Sequence, residues 1–196
     1  METLAYSETT QEFLELLKTP KDYRPDALNL LEEGKSRYVT DLKLNFKSSL
    51  ESEHLSKLEI GLLGVALAVN NGNSVLREFF LAFAKEAGAT ADAIAEAAAC
   101  ASLLSANNVL YRFRHFTKKE KYTQIPARIK MNIMTKPVSG KEFFELMSLA
   151  ISAVNGCEMC VNAHEASLLE LGAKEERIFE AVRLSSIVTS TSKIIA

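Results

Sequence analysis

Helix breakers are so sparse along this chain that its elements have little choice but to be helices. Proline stands only at 20, 25, 126 and 137 of 196 residues, glycine occurs eight times, and Ala, Leu, Glu and Lys fill the long intervals between them. Those residues lose little conformational freedom in a helix, whereas proline ends one. From Ser56 to Val69, the apolar Leu58, Leu62, Val65, Leu67 and Val69 lie almost all round the helix circumference, the pattern of a segment buried on every side. Asn70-Asn71-Gly72-Asn73 ends it. Further helices are predicted over 12–18, 74–86, 90–107 with Thr90 as N-cap, 139–154 with Ser139 and Glu142 as a capping box, 157–171 and 174–195. No segment alternates polar and apolar residues convincingly, so the expected fold class is all-α.

The chain also repeats itself. Residues 59–83 lie over 145–169 at a shift of 86, and 87–97 over 171–181 at a shift of 84, so two similar helical halves are expected, over roughly 56–108 and 142–194. In this register Glu145 meets Glu59, while Cys157, Cys160 and His164 meet Asn71, Ser74 and Glu78. Only the second half carries the thiol pair. Residues 1–38 fall outside both halves and read as an arm packed on the body, 39–196, or on a neighbour.

With 47% hydrophobic and 24% charged residues the chain can bury a sizeable core, and a net charge of -2 leaves no basic stripe for a phosphate backbone. Nucleic acid is therefore not expected as a partner. The N-terminal segment lacks the pattern of a secretory signal and no run reaches about 18 apolar residues, so a cytoplasmic protein without membrane contact is expected. Three cysteines make no secreted disulfide scaffold. In a reducing compartment, a close pair points to catalysis or a metal.

Cys157, Cys160 and His164 are spaced i, i+3, i+7 and share one helix face. Asn155-Gly156 breaks the preceding helix, which puts the cysteines in a first turn where unpaired N–H groups favour a thiolate. One turn of separation brings the Cα atoms within disulfide range, so the pair can cycle between dithiol and disulfide. His164 is four residues from Cys160 but seven from Cys157, which favours Cys160 as the attacking thiol; the helix dipole favours Cys157 instead, and the His164 contact is given more weight. Glu145, on a preceding helix that must turn back antiparallel, can orient His164 or take its proton. The alternatives are a structural zinc site, for which Cys157, Cys160 and His164 are one ligand short, or two inert buried thiols. His54 and His115 lie in the first half, and Cys100 in its alanine-rich helix reads as packing. Asn107, Asn108, Tyr111, Arg112, Arg114 and His115 read as a loop leading into a charge run, or else as a subunit contact or a rim to the thiol pocket.

Three segments carry a family resemblance: Asn-Asn-Val-Leu-Tyr-Arg-Phe (107–113), Met-Asn-Ile-Met (131–134), and 144–165 with its Cys-x-x-Cys-x-x-x-His core and a glutamate twelve residues earlier. They resemble the alkyl hydroperoxide reductase D family within the carboxymuconolactone decarboxylase superfamily, from about Asp41 onward. The resemblance implies an all-helical homotrimer with one thiol site per subunit, serving antioxidant defence without a bound cofactor. It implies that Cys160 carries the sulfenic or mixed-disulfide step, that Cys157 resolves it, and that Glu145 with His164 relays protons. Electrons would come from a dihydrolipoyl group on a lipoyl-bearing protein and pass to a peroxiredoxin partner. Met159 replaces a histidine found between the cysteines in some members, and the arm is longer than theirs. A lactone decarboxylase of the parent superfamily and a non-catalytic zinc-bound scaffold are the rival functions.

Overall fold

In a computed structural model residues 5–196 are described, and among these there are ten α-helices, one short 3-10 turn and no strand. The expected all-α class is what the chain adopts. Helices α1 (Glu8–Leu16), α2 (Asp26–Glu33) and α3 (Tyr38–Ser49) precede the first three-helix unit, α4 (Lys57–Asn70), α5 (Ser74–Glu86) and α6 (Ala91–Thr117). The short α7 (Glu120–Gln124) and the 3-10 turn Asn132–Met134 lead to the second unit, α8 (Lys141–Val154), α9 (Glu158–Glu170) and α10 (Glu175–Ile194). Only one helix was expected before residue 56, where three are found. The apolar positions of α3, Val39, Leu42 and Phe46, are spaced for one buried stripe, and α2 follows Pro25 directly as its N-cap.

Helix α4 is the centre of the molecule, with an unbroken buried run from Ile60 to Ala68, as its all-round apolar pattern predicts. It packs on α5, α6, α8 and α10. Its start is fixed by a full capping box, in which Ser56 Oγ accepts from Glu59 N and the Glu59 carboxylate accepts from Ser56 N at 2.8 Å. Gly61 and Gly64 let α5 come close: a Cβ at Gly61 would press on the Ala84 backbone, and one at Gly64 would run into the Phe80 ring. The arm joins the same core through an aromatic chain, Phe13 to Phe46 to Phe79 to Phe80, with ring centroids 6.0, 5.3 and 5.1 Å apart. Its Tyr23 hydroxyl also donates to the Ile195 carbonyl, 2.8 Å away.

The capping box expected at Ser139 and Glu142 does not form. The N-cap of α8 is Gly140, one residue later, and the buried Ser139 Oγ has no hydrogen-bond partner. Glu96, buried in α6, fixes the approach to the helix instead, its carboxylate accepting from Val138 N at 2.5 Å and Ser139 N at 2.8 Å, the two N–H groups just ahead of the Gly140 N-cap. Glu142 is taken by Arg177, whose guanidinium bridges it at 2.8 Å to Glu59 at 2.5 Å and so ties α10 to the starts of α8 and α4. Burial raises the Glu59 pKa, but hydrogen bonds from Arg177 and Ser56 outweigh it and hold the carboxyl below its ordinary value. A depressed carboxyl pKa stabilises the fold above the unfolded-state value, and that stabilisation is lost as pH falls through the folded-state value. Arg177→Met is expected to cost about 2 kcal/mol at neutral pH and, because Glu59 then titrates nearer its ordinary value, to flatten the loss of stability below about pH 4.5. Urea unfolding at pH 7 and pH 4 checks both, and equal pH dependence in the two proteins would exclude this role.

The helix boundaries agree with the shift of 84 expected for 87–97 and carry it through 59–83, where 86 was expected. All three helix starts recur at a shift of 84, from Lys57 to Lys141, Ser74 to Glu158 and Ala91 to Glu175. The corner glycines with positive φ, Gly72 and Gly156, recur at the same shift. The shift of 86 matched Glu59 to Glu145 by residue type and so missed the repeated Asn-Gly corners that end α4 and α8. In the corrected register Cys157 meets the N-cap Asn73, Cys160 meets Leu76, His164 meets Phe80 and Glu145 meets Gly61. Where the second unit has His164 and Glu145, the first has Phe80 and Gly61 in the close packing of α4 on α5.

Candidate active site

The second corner is built for a tight turn. Asn155 ends α8, Gly156 takes φ +67, where a side chain would be strained, and Cys157 N donates to the Ser152 carbonyl at 3.0 Å. Cys157 is the N-cap of α9 and Cys160 its third residue, so both sulfurs sit at the positive end of the helix, and no side chain caps the first turn. The two Sγ atoms are bonded to each other, with Cα atoms 5.3 Å apart. Since both cysteines lie in the same turn, the dipole separates their chemistry less sharply than sequence spacing suggests. Burial ranks them: Cys157 is 1% exposed and Cys160 7%.

Helices α8 and α9 pack against each other and bring Glu145 to His164, Nδ1 lying 2.6 Å from Glu145 Oε2, with both side chains mostly buried. An ionised carboxylate there accepts the Nδ1 proton and leaves Nε2 with its lone pair, the tautomer a base needs. His164 lies on the helix face it shares with Cys157 and Cys160. The four residues expected to form the site thus stand on two adjoining helices around one corner.

Among the described residues no three or more His, Cys, Asp or Glu side chains are grouped to hold a metal ion. His54 lies near the start of α10, where its carbonyl accepts from Arg177. Cys100 is fully buried on α6, 3.6 Å from Ser148 Oγ; burial above all, helped by Glu96 and Glu145, pushes its thiol up to about 12.

The stretch from Asn107 to His115 is not a loop, because α6 continues as helix to Thr117 and is capped by Lys118 in the left-handed conformation. Arg112 donates to the Asn155 carbonyl and His115 Nε2 lies 3.4 Å from Glu158 Oε2, so this segment borders the thiol corner. Its polar residues at three- and four-residue spacing were the signal that it is helical. The helix is also the one described element long and apolar enough to cross a membrane, yet here it packs on α4, α8 and α9.

The carboxymuconolactone decarboxylase family model matches residues 121–196, which hold the α8–α9 corner. The chain is 38% identical over 162 residues to "Alkyl hydroperoxide reductase AhpD" of Anaeromyxobacter dehalogenans (strain 2CP-C), covering 83% of this chain and 87% of that protein. The protein of the same name from Solibacter usitatus (strain Ellin6076) is 38% identical over 158 residues, 81% of this chain and 89% of that one. The one from Coxiella burnetii (strain RSA 493 / Nine Mile phase I) is 34% identical over 181 residues, 91% and 96%.

Proposed function

Because this chain belongs to the carboxymuconolactone decarboxylase family, in its AhpD-like branch, we propose that it is an antioxidant thiol-disulfide oxidoreductase reducing alkyl hydroperoxides or the disulfide of a peroxiredoxin. The observation that carries this reading is the Cys157–Cys160 disulfide at the start of α9, on the helix whose His164 is held by Glu145. Cys160, the less buried of the two and the nearer in sequence to His164, is the attacking thiol.

As a thiolate, Cys160 attacks the terminal peroxide oxygen, the O–O bond breaks, and the departing alkoxide takes a proton relayed through His164. The product is an alcohol and a sulfenic acid on Cys160. Cys157 then attacks that sulfur, hydroxide leaves as water with the Cys157 proton, and the disulfide closes. An external dithiol, a dihydrolipoyl group on a partner protein, supplies two electrons and two protons to reopen it. The electrons balance without any bound cofactor. With an oxidised peroxiredoxin the same pair works by exchange, the reduced Cys160 opening the partner disulfide and Cys157 releasing it. On this reading the protein works in the cytoplasm as a homotrimer.

Consumption of an alkyl hydroperoxide by the reduced chain should continue only while a dihydrolipoyl donor is present, and without one should stop after about one equivalent per chain. His164→Gln is expected to shift alkylation of the reduced site to higher pH and slow it roughly tenfold near neutral pH, with Glu145→Gln acting in the same direction but more weakly. Activity on a lactone that survives replacement of both cysteines by Ser would favour the decarboxylase reading. About one zinc per purified chain would favour the scaffold.

A further inference from the structure

Helix α6 carries a polar stripe, Ser105, Asn108, Arg112 and His115, at steps of three, four and three residues, which keeps all four on one side. Three of its members meet the chain around the thiol corner directly. Ser105 Oγ donates to the Ala101 carbonyl at 2.8 Å and lies 3.3 Å from Oδ1 of Asn70, which in turn exchanges two amide hydrogen bonds with Asn155, at 3.0 and 3.2 Å. Asn108, 1% exposed, donates to Ser152 Oγ at 2.9 Å and accepts from Asn155 Nδ2 at 2.9 Å. Arg112 donates to the Asn155 carbonyl, and His115 faces Glu158. The stripe therefore follows the backbone from Ser152, whose carbonyl receives Cys157 N, to the first residue of α9. Only Asn155, Gly156 and Cys157 lie between the end of one helix and the start of the next.

We propose that this stripe, Arg112 foremost, is the positioning element of the redox pair: it holds the Asn155–Gly156 corner when the Cys157–Cys160 bond is open and brings a permanent positive charge beside it. The proposal rests on the thiol-disulfide reading above. In the disulfide form the covalent link already fixes the two cysteines. In the dithiol form Gly156 can relax, since its backbone is the least restrained in the turn, and hydrogen bonds to Asn155 then keep Cys157 at the end of α9. The charged groups around the pair are Glu145 on α8, Glu158 and His164 on α9, and Arg112 and His115 on α6. Of these, Arg112 is the guanidinium, and its planar fork is what donates to the Asn155 carbonyl. Its field favours a thiolate and so the reduced form, which raises the oxidising power of the disulfide.

The test uses the full-length chain with Arg112→Met, Arg112→Lys and Asn108→Ala, each first compared with the parent by circular dichroism. Each protein is equilibrated in glutathione buffers and its oxidised fraction read by mass spectrometry, and alkylation of the reduced protein is followed against pH. Arg112→Met should move the equilibrium toward the disulfide by about tenfold, equivalent to about 30 mV, and shift alkylation to higher pH. Arg112→Lys, which restores charge but not the planar fork, should recover the pH midpoint and leave the equilibrium about threefold toward the dithiol, since a looser open corner lowers the effective concentration of one thiol beside the other. Asn108→Ala should also move the equilibrium about threefold toward the dithiol and leave the pH midpoint in place, because it removes a tether and no charge. Should Arg112→Met fail to fold, the other two variants decide. A folded Arg112→Met protein with parental equilibrium and pH midpoint would overturn the proposal, as would parental behaviour in both other variants. If the parent itself shows no reversible Cys157–Cys160 equilibrium, the thiol-disulfide reading falls first and this proposal with it.

Discussion

Cys160→Ser is expected to lower peroxide turnover by at least about a thousandfold, whereas Cys157→Ser should consume one equivalent and stop. The asymmetry follows from which sulfur meets the peroxide. With Cys160 absent, Cys157 keeps its place as the N-cap of α9, but at 1% exposure it is nearly closed to a reagent and stands seven residues from His164. With Cys157 absent, Cys160 reacts, and its sulfenic acid has no neighbour to resolve it, since the remaining thiol, Cys100, is fully buried. Mass spectrometry after one equivalent of peroxide should then find the added oxygen, or a mixed disulfide with any small thiol present, on Cys160. The opposite pattern, oxidation trapped on Cys157 in the Cys160→Ser protein and none in the other, would reverse the roles and make the helix terminus, rather than the imidazole, the dominant influence.

Gly64→Ala is expected to destabilise the protein by about 2 kcal/mol net, although alanine is the better helix former. Helix propensity contributes about 1 kcal/mol in favour of the substitution. Against it, the new methyl occupies the space of the fully buried Phe80 ring, and overpacking of this kind costs about 3 kcal/mol when backbones must move apart. For a chain of this length the melting temperature should drop by about 4–8 °C. Phe80→Leu removes the obstructing ring, so the double variant should lose clearly less than the sum of the two single losses. A melting temperature for Gly64→Ala at or above that of the parent would show that α4 and α5 separate freely, against the close packing described.

Where a helix is specified by its own residues, the sequence was enough to read it. The bounds of α5 and the start of α6 follow from local caps at Asn73 and Thr90, and α4 from an apolar circumference that makes sense only inside a core. The placement of Cys157, Cys160 and His164 on α9 with Glu145 facing them from α8 was legible for a similar reason, because helical spacing and one forced turn determine it. What escaped depends on partners remote in sequence. Asn107, Asn108, Arg112 and His115 look like loop residues until α8 and α9 supply their hydrogen-bond partners. Ser139 looks like an N-cap until the Glu96 carboxylate, more than forty residues earlier, takes the adjacent N–H groups and Arg177 takes Glu142. The repeat register slipped by two because glutamates were matched where the backbone repeats its Asn-Gly corner.

Cys100 gives the molecule a thiol that stays silent while the fold holds. With its thiol pushed up to about 12 and no exposed surface, it offers almost no thiolate to a labelling reagent in the native state. A reduced native protein should therefore be labelled at the corner alone, at Cys160 ahead of the more buried Cys157, and an unfolded one at all three sulfhydryls. When reclosing outpaces labelling, the slow appearance of the third tracks the population of globally opened molecules, and when labelling is faster it tracks the rate of opening itself. One alkylation time course can thus separate chemistry at the corner from breathing of the whole helical assembly, with no probe added to the chain.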